Sequence, residues 1–331
     1  MSATFERPRP RTPFARLADR VTLGPRALRW GTTAALVVSI LIIVTGGVVR
    51  ITGSGLGCPT WPVCEAGSLT TTPALGIHGA IEFTNRVLTS VLVLAVGWAI
   101  VAAALQRRWQ RTLARLTWSQ FFLVLINAVA GGITVLLGLN PYVVALHFLL
   151  AIALLTTTTL AWHRSRQSAA ASPVSGRAGA LAWVVAAVAL LLVVLGTLVT
   201  GAGPHSGDSA DVPRITILSW TALTSIHGTA AVALLVLSIA LLLRLRHEGA
   251  ALAVRRVAVL IGVILAQAVI GIVQALTGLP GPFVVLHLLG AALVWVGVLR
   301  VLLDTHPALF GRVIPVRDVA ERAEREAAPV A

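Results

Sequence analysis

Four histidines stand inside long apolar stretches of this chain: His78, His147, His227 and His287. They fall two to each half of the sequence, each at a similar depth from one end of its stretch. An ionisable side chain in such surroundings is costly to bury and is usually kept for function. One such histidine would read as a hydrogen-bond partner of a neighbouring helix. Four at matched depth point to ligation. Zinc would require further Cys or carboxylate ligands, which these stretches do not supply. Paired imidazoles from facing helices of a bundle suit six-coordinate haem iron. His163, His247 and His306 lie beside arginines outside the stretches and read as ordinary surface residues. His205 sits in the glycine-rich segment 201–208, which reads as a lid over the second half with a part in holding haem propionates.

The second apolar stretch carries more chemistry. His78, Glu82, Asn85 and Arg86 are spaced by three and four residues, which puts them on one stripe of a helix. Glu82 is the only acid expected within a span. An ion pair with Arg86 would lower the cost of burying it, and a carboxylate beside a haem would serve as base or charge stabiliser. The two roles are compatible. Cys58 and Cys64, the only cysteines, lie in the segment before this helix. With no Cys-x-x-Cys-His sequence, covalent haem attachment is excluded.

The elements that position these groups follow from composition. Of 331 residues, 57% are hydrophobic and 11% charged, and the mean hydropathy is +0.89. A single soluble core could not hide so much apolar surface, whereas runs of about twenty apolar residues cross a bilayer. The expected fold is an all-α integral membrane protein with eight transmembrane helices at 30–50, 75–105, 116–139, 142–162, 178–200, 218–243, 257–276 and 283–303. A net charge of +14 would suggest nucleic acid as the partner of a soluble chain. Here it follows from the positive-inside rule, and no nucleic-acid partner is expected. Every basic residue is arginine. All but Arg50, Arg86 and Arg214 fall in the tails, in 107–115, 164–177 and 244–256, or at the adjoining span ends. Both termini are therefore expected in the cytoplasm, with the cysteine segment on the oxidising side, where a Cys58–Cys64 disulfide is expected. A metal site at these cysteines would lack two ligands. The tail 1–29 has no apolar segment, so no cleaved signal peptide is expected. The charged, alanine-rich stretch 316–331 reads as a short solvated helix.

The chain also repeats itself. Gly138-Leu139 and Leu146-His147 recur in the second half, at one constant offset, as Gly278-Leu279 and Leu286-His287. Asn127-Ala128-Val129 and Gly131 match Gln267-Ala268-Val269 and Gly271 at the same offset. Thr45-Gly46 finds an echo in Thr200-Gly201, and Ile77-His78-Gly79 in Ile226-His227-Gly228. Two parallel four-helix repeats follow, residues 30–165 and 178–305, joined by a cytoplasmic linker at 166–177 and flanked by tails 1–29 and 306–331. Parallel repeats speak against the inverted-repeat transporters.

The stretches GGVVR (46–50), TGSGLGC (52–58), WPVC (61–64), IEFTNR (81–86) and ALHF (145–148) resemble the signature of the haem A synthases, most closely over 45–150. The resemblance implies a bacterial plasma-membrane enzyme that oxidises the C8 methyl of haem O to a formyl group, giving haem A for terminal oxidases, with water supplying the oxygen. It implies a haem b held by His227 and His287 in the second half. It also implies a substrate haem site in the first half, with His147 as one ligand, Glu82 as catalytic carboxylate and Arg86 beside it. Haem O synthase and a terminal oxidase subunit are the implied protein partners. The electron acceptor and the oligomeric state, a homo-oligomer included, stay open. This chain departs from the family in having Asn85 where a ligating histidine is usual. The Ile-His-Gly echo favours His78 as the substitute. Against it, the separation of Asn85 from His227 lies nearer the offset of the His147–His287 pair, which favours position 85 as the true counterpart.

Two rival readings use the same histidines. A dihaem b-type, quinol-linked electron carrier needs neither Glu82 nor the cysteine segment. A haem or small-molecule transporter needs a path to the cytoplasm, and no charge or histidine is expected in the inner half of any span.

Overall fold

A computed structural model of the chain, described over residues 13–106, 109–166, 174–205, 207–208, 212–307 and 309, is built of helices. A short α1 (Pro13–Ala18) precedes α2 (Pro25–Ile51). A 3-10 turn (Pro73–Leu75) then enters α3 (Gly76–Ala104), followed by α4 (Arg111–Leu136) and α5 (Pro141–Arg164). The rest comprises α6 (Gly176–Ala202), α7 (Trp220–His247), α8 (Ala251–Leu276) and α9 (Gly281–Thr305). Helices α2 to α9 are each long and apolar enough to cross a bilayer, and only a minority of each span is buried within the molecule. Leu94, Val232, Val269 and Leu276 face outward, as lipid-facing side chains do. The chain is an integral membrane protein with eight candidate spans among the described residues.

Helix ends follow local chemistry. Pro25, Pro141 and Pro282 occupy the first turn of their helices, where no N–H is missed. Asn140, Ser175 and Ser219 accept backbone N–H groups as caps. Both α4 and α8 end in a Gly-Leu pair with left-handed backbone: Gly138 and Leu139 at φ 57° and 58°, Gly278 and Leu279 at 76° and 61°. Glycine adopts this freely, whereas leucine does so at a cost. The Leu139 and Leu279 N–H groups compensate by reaching back to the Thr134 and Gln274 carbonyls.

Helices α2, α3, α4 and α5 close a ring of neighbours, and α6, α7, α8 and α9 close another. The rings meet through α2 on α9, α5 on α9 and α5 on α6. Close approach is possible there because Gly47 has no side chain. A Cβ on it would overlap Leu288 of α9. Trp295 of α9 donates to Thr156 of α5 at 2.8 Å across the same seam.

The helices run slightly past the expected spans, and this corrects two expectations. α9 continues to Thr305 and carries buried Asp304 with it, so Glu82 is not the only acid within a span. Asp304 Oδ2 lies 3.3 Å from Arg256 Nε and its Oδ1 3.5 Å from His163 Nε2, a buried polar cluster at the arginine-rich end. A charge and a histidine thus occupy the arginine-rich ends of spans, where none was expected, because α5 and α9 each continue into the arginine-rich layer. The stretch 316–331 lies outside the described residues.

Candidate functional site

At the end opposite the arginine-rich layer, the 52–75 loop folds down onto α3. Cys58 and Cys64 are disulfide-bonded. Buried Glu82 holds this loop directly: its Oε2 accepts the Cys58 N–H at 2.6 Å, and its Oε1 accepts Arg86 Nη2 at 2.6 Å and Nε at 3.2 Å. Arg86 in turn donates to the carbonyls of Thr60, Val63 and Cys58. The stripe read from the sequence is therefore a clamp, with an acid on the loop's N–H and a guanidinium on its carbonyls. A carboxylate offers about four lone-pair sites. Three are filled here, so Glu82 keeps one for a further donor.

The loop reaches across to α4. Trp61 lies on Gly132, where a Cβ would run into the indole. The adjacent Gly131 seats His147 of α5, its virtual Cβ being 3.1 Å from the ring's Cε1. Two further glycines seat imidazoles in the same manner: Gly271 of α8 under His287 (3.3 Å) and Gly196 of α6 under His227 (3.4 Å). The internal repeat pairs Gly131 with Gly271, but their purpose emerges only from the packing. Nδ1 of His147, His227 and His287 is buried, with the Asn127 backbone beside the His147 ring and the Leu192 backbone beside that of His227.

His227 and His287 face each other with ring centres 6.5 Å apart. With a nitrogen of each ring turned to the midpoint, a metal there would stand about 2 Å from both, the usual length of a metal–imidazole bond. Among the described residues no three His, Cys, Asp or Glu side chains converge. The pair thus suits a metal that brings its own equatorial donors, which is the donor set of a haem. His78 and His147 do not form such a ring pair among the described residues. His78 lies in the first turn of α3, exposed, with Nδ1 3.0 Å from Ser54 Oγ. Asn85, two turns deeper, is hydrogen-bonded to the Thr45 hydroxyl of α2 at 2.7 Å. Nothing in the sequence reading signalled that bond.

Arg50, Arg86 and Arg214, the three arginines outside the arginine-rich layer, each bind loop carbonyls. Arg50 donates to His205 and Thr200, and Arg214 to Gly203 and Pro204. His205 Nε2 meets the Leu279 carbonyl at 2.9 Å, tying His205 to the α8–α9 turn. Gly55 donates to the Gly207 carbonyl, so the two segments touch.

The model of the COX15-CtaA family, described as cytochrome oxidase assembly proteins, matches residues 76–299, from the first turn of α3 to near the end of α9. The chain belongs to this family. It is similar to the haem A synthase of Lysinibacillus sphaericus, 31% identical over 133 residues, which cover 40% of this chain and 43% of that protein. It is also similar to the haem A synthase of Staphylococcus epidermidis, at 29% over 122 residues (37% and 40% of the two chains). A third relative, from Alkalihalophilus pseudofirmus, is 29% identical over 143 residues (41% and 47%). The matched stretches span less than half the length of these relatives.

Proposed function

We propose that the protein is a haem A synthase of the plasma membrane, oxidising the C8 methyl of haem O to the formyl group of haem A for a terminal oxidase. The observation that carries this reading is Glu82, a buried carboxylate with one acceptor site to spare, held under a disulfide-closed loop whose Trp61 lies on Gly132, next to the glycine that seats His147. The helix rings support two parallel repeats, because exchanging α2–α5 with α6–α9 maps their shared contacts onto one another. With the arginine-rich layer in the cytoplasm, both ends of each repeat lie inside and the haem sites lie near the outer face.

In this reading His227 and His287 hold a haem b, which supplies one-electron redox capacity when bound. His147 holds the substrate haem from α5, seated by Gly131. Arg86 pairs with Glu82 and fixes the loop, whose Trp61 closes the site against water on the α4 side. Glu82 would accept a proton, or orient the attacking water, through its unfilled lone pair as the methyl carbon loses hydrogen, the electrons passing to an external electron acceptor. His205 braces the second loop beside the propionate end.

A dihaem electron carrier would use the same histidine pair, but would give Glu82 and the clamped loop no task. Haem extraction from the full chain, purified from a host that makes haem O, decides between them. Haem b together with haem O or haem A is expected, and haem b alone would overturn the enzyme reading. Glu82→Gln should keep haem b and lower haem A yield by roughly a hundredfold or more, the usual weight of a general base. A wild-type yield would leave Glu82 with the loop alone.

A further inference from the structure

We propose that the first-half site holds its haem by one protein imidazole, His147, and keeps the opposite axial position open for a small ligand bound beside Asn85. This rests on the reading that the first half binds a haem, and its argument is a comparison of register. His147 and His287 are each the seventh residue of their helices, α5 and α9. In the second half the partner of His287 is His227 of α7, seated on Gly196, which lies six residues before the end of α6. The residue six before the end of α2 is Thr45. What Thr45 meets on α3 is Asn85. Counted back from the last residues of their helices, Ala104 and His247, Asn85 and His227 agree to within a single position. Thr45 and Asn85 thus stand where Gly196 and His227 stand.

The bare glycine that leaves room for an imidazole is replaced by a hydroxyl, and the imidazole by a carboxamide bonded to it. A carboxamide is a poor iron ligand but a good hydrogen-bond partner. Asn85 has more bonding capacity than its single bond to Thr45 uses. His78 is poorly placed to fill the gap. It lies seven residues nearer the loop, about 10 Å along the helix, exposed and bonded to Ser54. Glu82 lies one turn from Asn85 on the same stripe. The ligand class is therefore a small polar molecule, water in the resting protein, replaceable by cyanide on ferric iron.

The test is titration of the full-length protein with haemin, read by spin state and cyanide binding. Wild type should take a second haem beyond the one at His227 and His287. That second haem should be high-spin and cyanide-reactive, and should stay so in His78→Ala. Asn85→Ala should weaken cyanide binding about five-fold, the worth of one hydrogen bond. Thr45→Gly with Asn85→His should turn the second haem low-spin and end its reaction with cyanide. A low-spin second haem in wild type that becomes high-spin in His78→Ala would overturn the inference and leave haem binding by the first half intact. A single haem per chain, in wild type and in the double variant, would overturn both.

Discussion

His147 and His287 occupy the same place in helices of the same design, each leaning on a glycine of the preceding helix, yet their surroundings differ. Across from His287 stands a second imidazole, and no acid is near it in the stripe of α7. In the first half, the register that His227 holds is occupied by an amide bonded to a hydroxyl, Asn85 and Thr45, with a clamped carboxylate one turn away on α3. On the proposed reading, one scaffold would hold a metal group tightly in one half and leave a reactive position beside it in the other. The difference would be carried by a few side chains, because the Gly131 and Gly271 seats and the Gly-Leu turns are already alike. A holding site would then differ from a reacting one in the filling of the second axial position and the placing of a charge.

Removing an imidazole from each half should break that contrast most strongly. His227→Ala and His287→Ala should each abolish the low-spin haem b signal in electron paramagnetic resonance, whereas His147→Ala should leave it intact. An unchanged signal in either second-half variant would dissolve the contrast. The loop comes next. Cys58 and Cys64 should resist alkylation in protein taken from membranes without reductant. The double Ala variant should lose about 2 kcal/mol of first-half stability, the value for so short a closed loop, and keep its haem b. Two labelled thiols in unreduced protein would contradict the disulfide.

A smaller effect concerns the loop's seat. Gly132→Ala pushes a methyl into Trp61 and should cost ~1–3 kcal/mol as an overpacked contact, loosening 58–64 to proteolysis. Gly97→Ala, whose added carbon meets nothing within 4 Å, is the control. Equal behaviour of the two would remove Trp61 from the account of the site.

The smallest expected effect lies at the arginine-rich end, where the halves join their first two helices differently. In the first half, Gln106 donates to the Leu23 and Ala102 carbonyls. In the second, Glu248 accepts from the Ser175 hydroxyl and N–H and from Arg244. The Ser175 hydrogen bonds, followed by Arg244, hold the Glu248 carboxyl below its ordinary range. A lowered folded-state value means the joint is at full strength at neutral pH and weakens as pH falls through that value. Amide exchange at 175–179 should quicken on acidification, and Glu248→Gln should show the quickened rate already at neutral pH. The Leu23 amide should respond to neither.

Much of this protein was legible in its sequence, because a bilayer imposes simple local demands. Span length, the arginine bias and the matched depth of His147, His227 and His287 are properties of single segments, read one at a time, whereas His78, expected at the same depth, stands in the exposed first turn of α3. The constant offset between the halves announced the paired Gly-Leu turns and the aligned glycines. What those glycines are for became visible only with the helices packed, since a seat is a relation between two helices. The same holds for Glu82. Its spacing to Arg86 showed an ion pair, but the Cys58 N–H on its other oxygen comes from a loop whose path no helix periodicity encodes. Asp304 was missed because helix ends are set by capping and packing, which carried α9 beyond its apolar run. Thr45 and Asn85 are distant in the sequence, and only the alignment of α2 against α3 brings a hydroxyl and an amide to the place where the other half has a glycine and an imidazole.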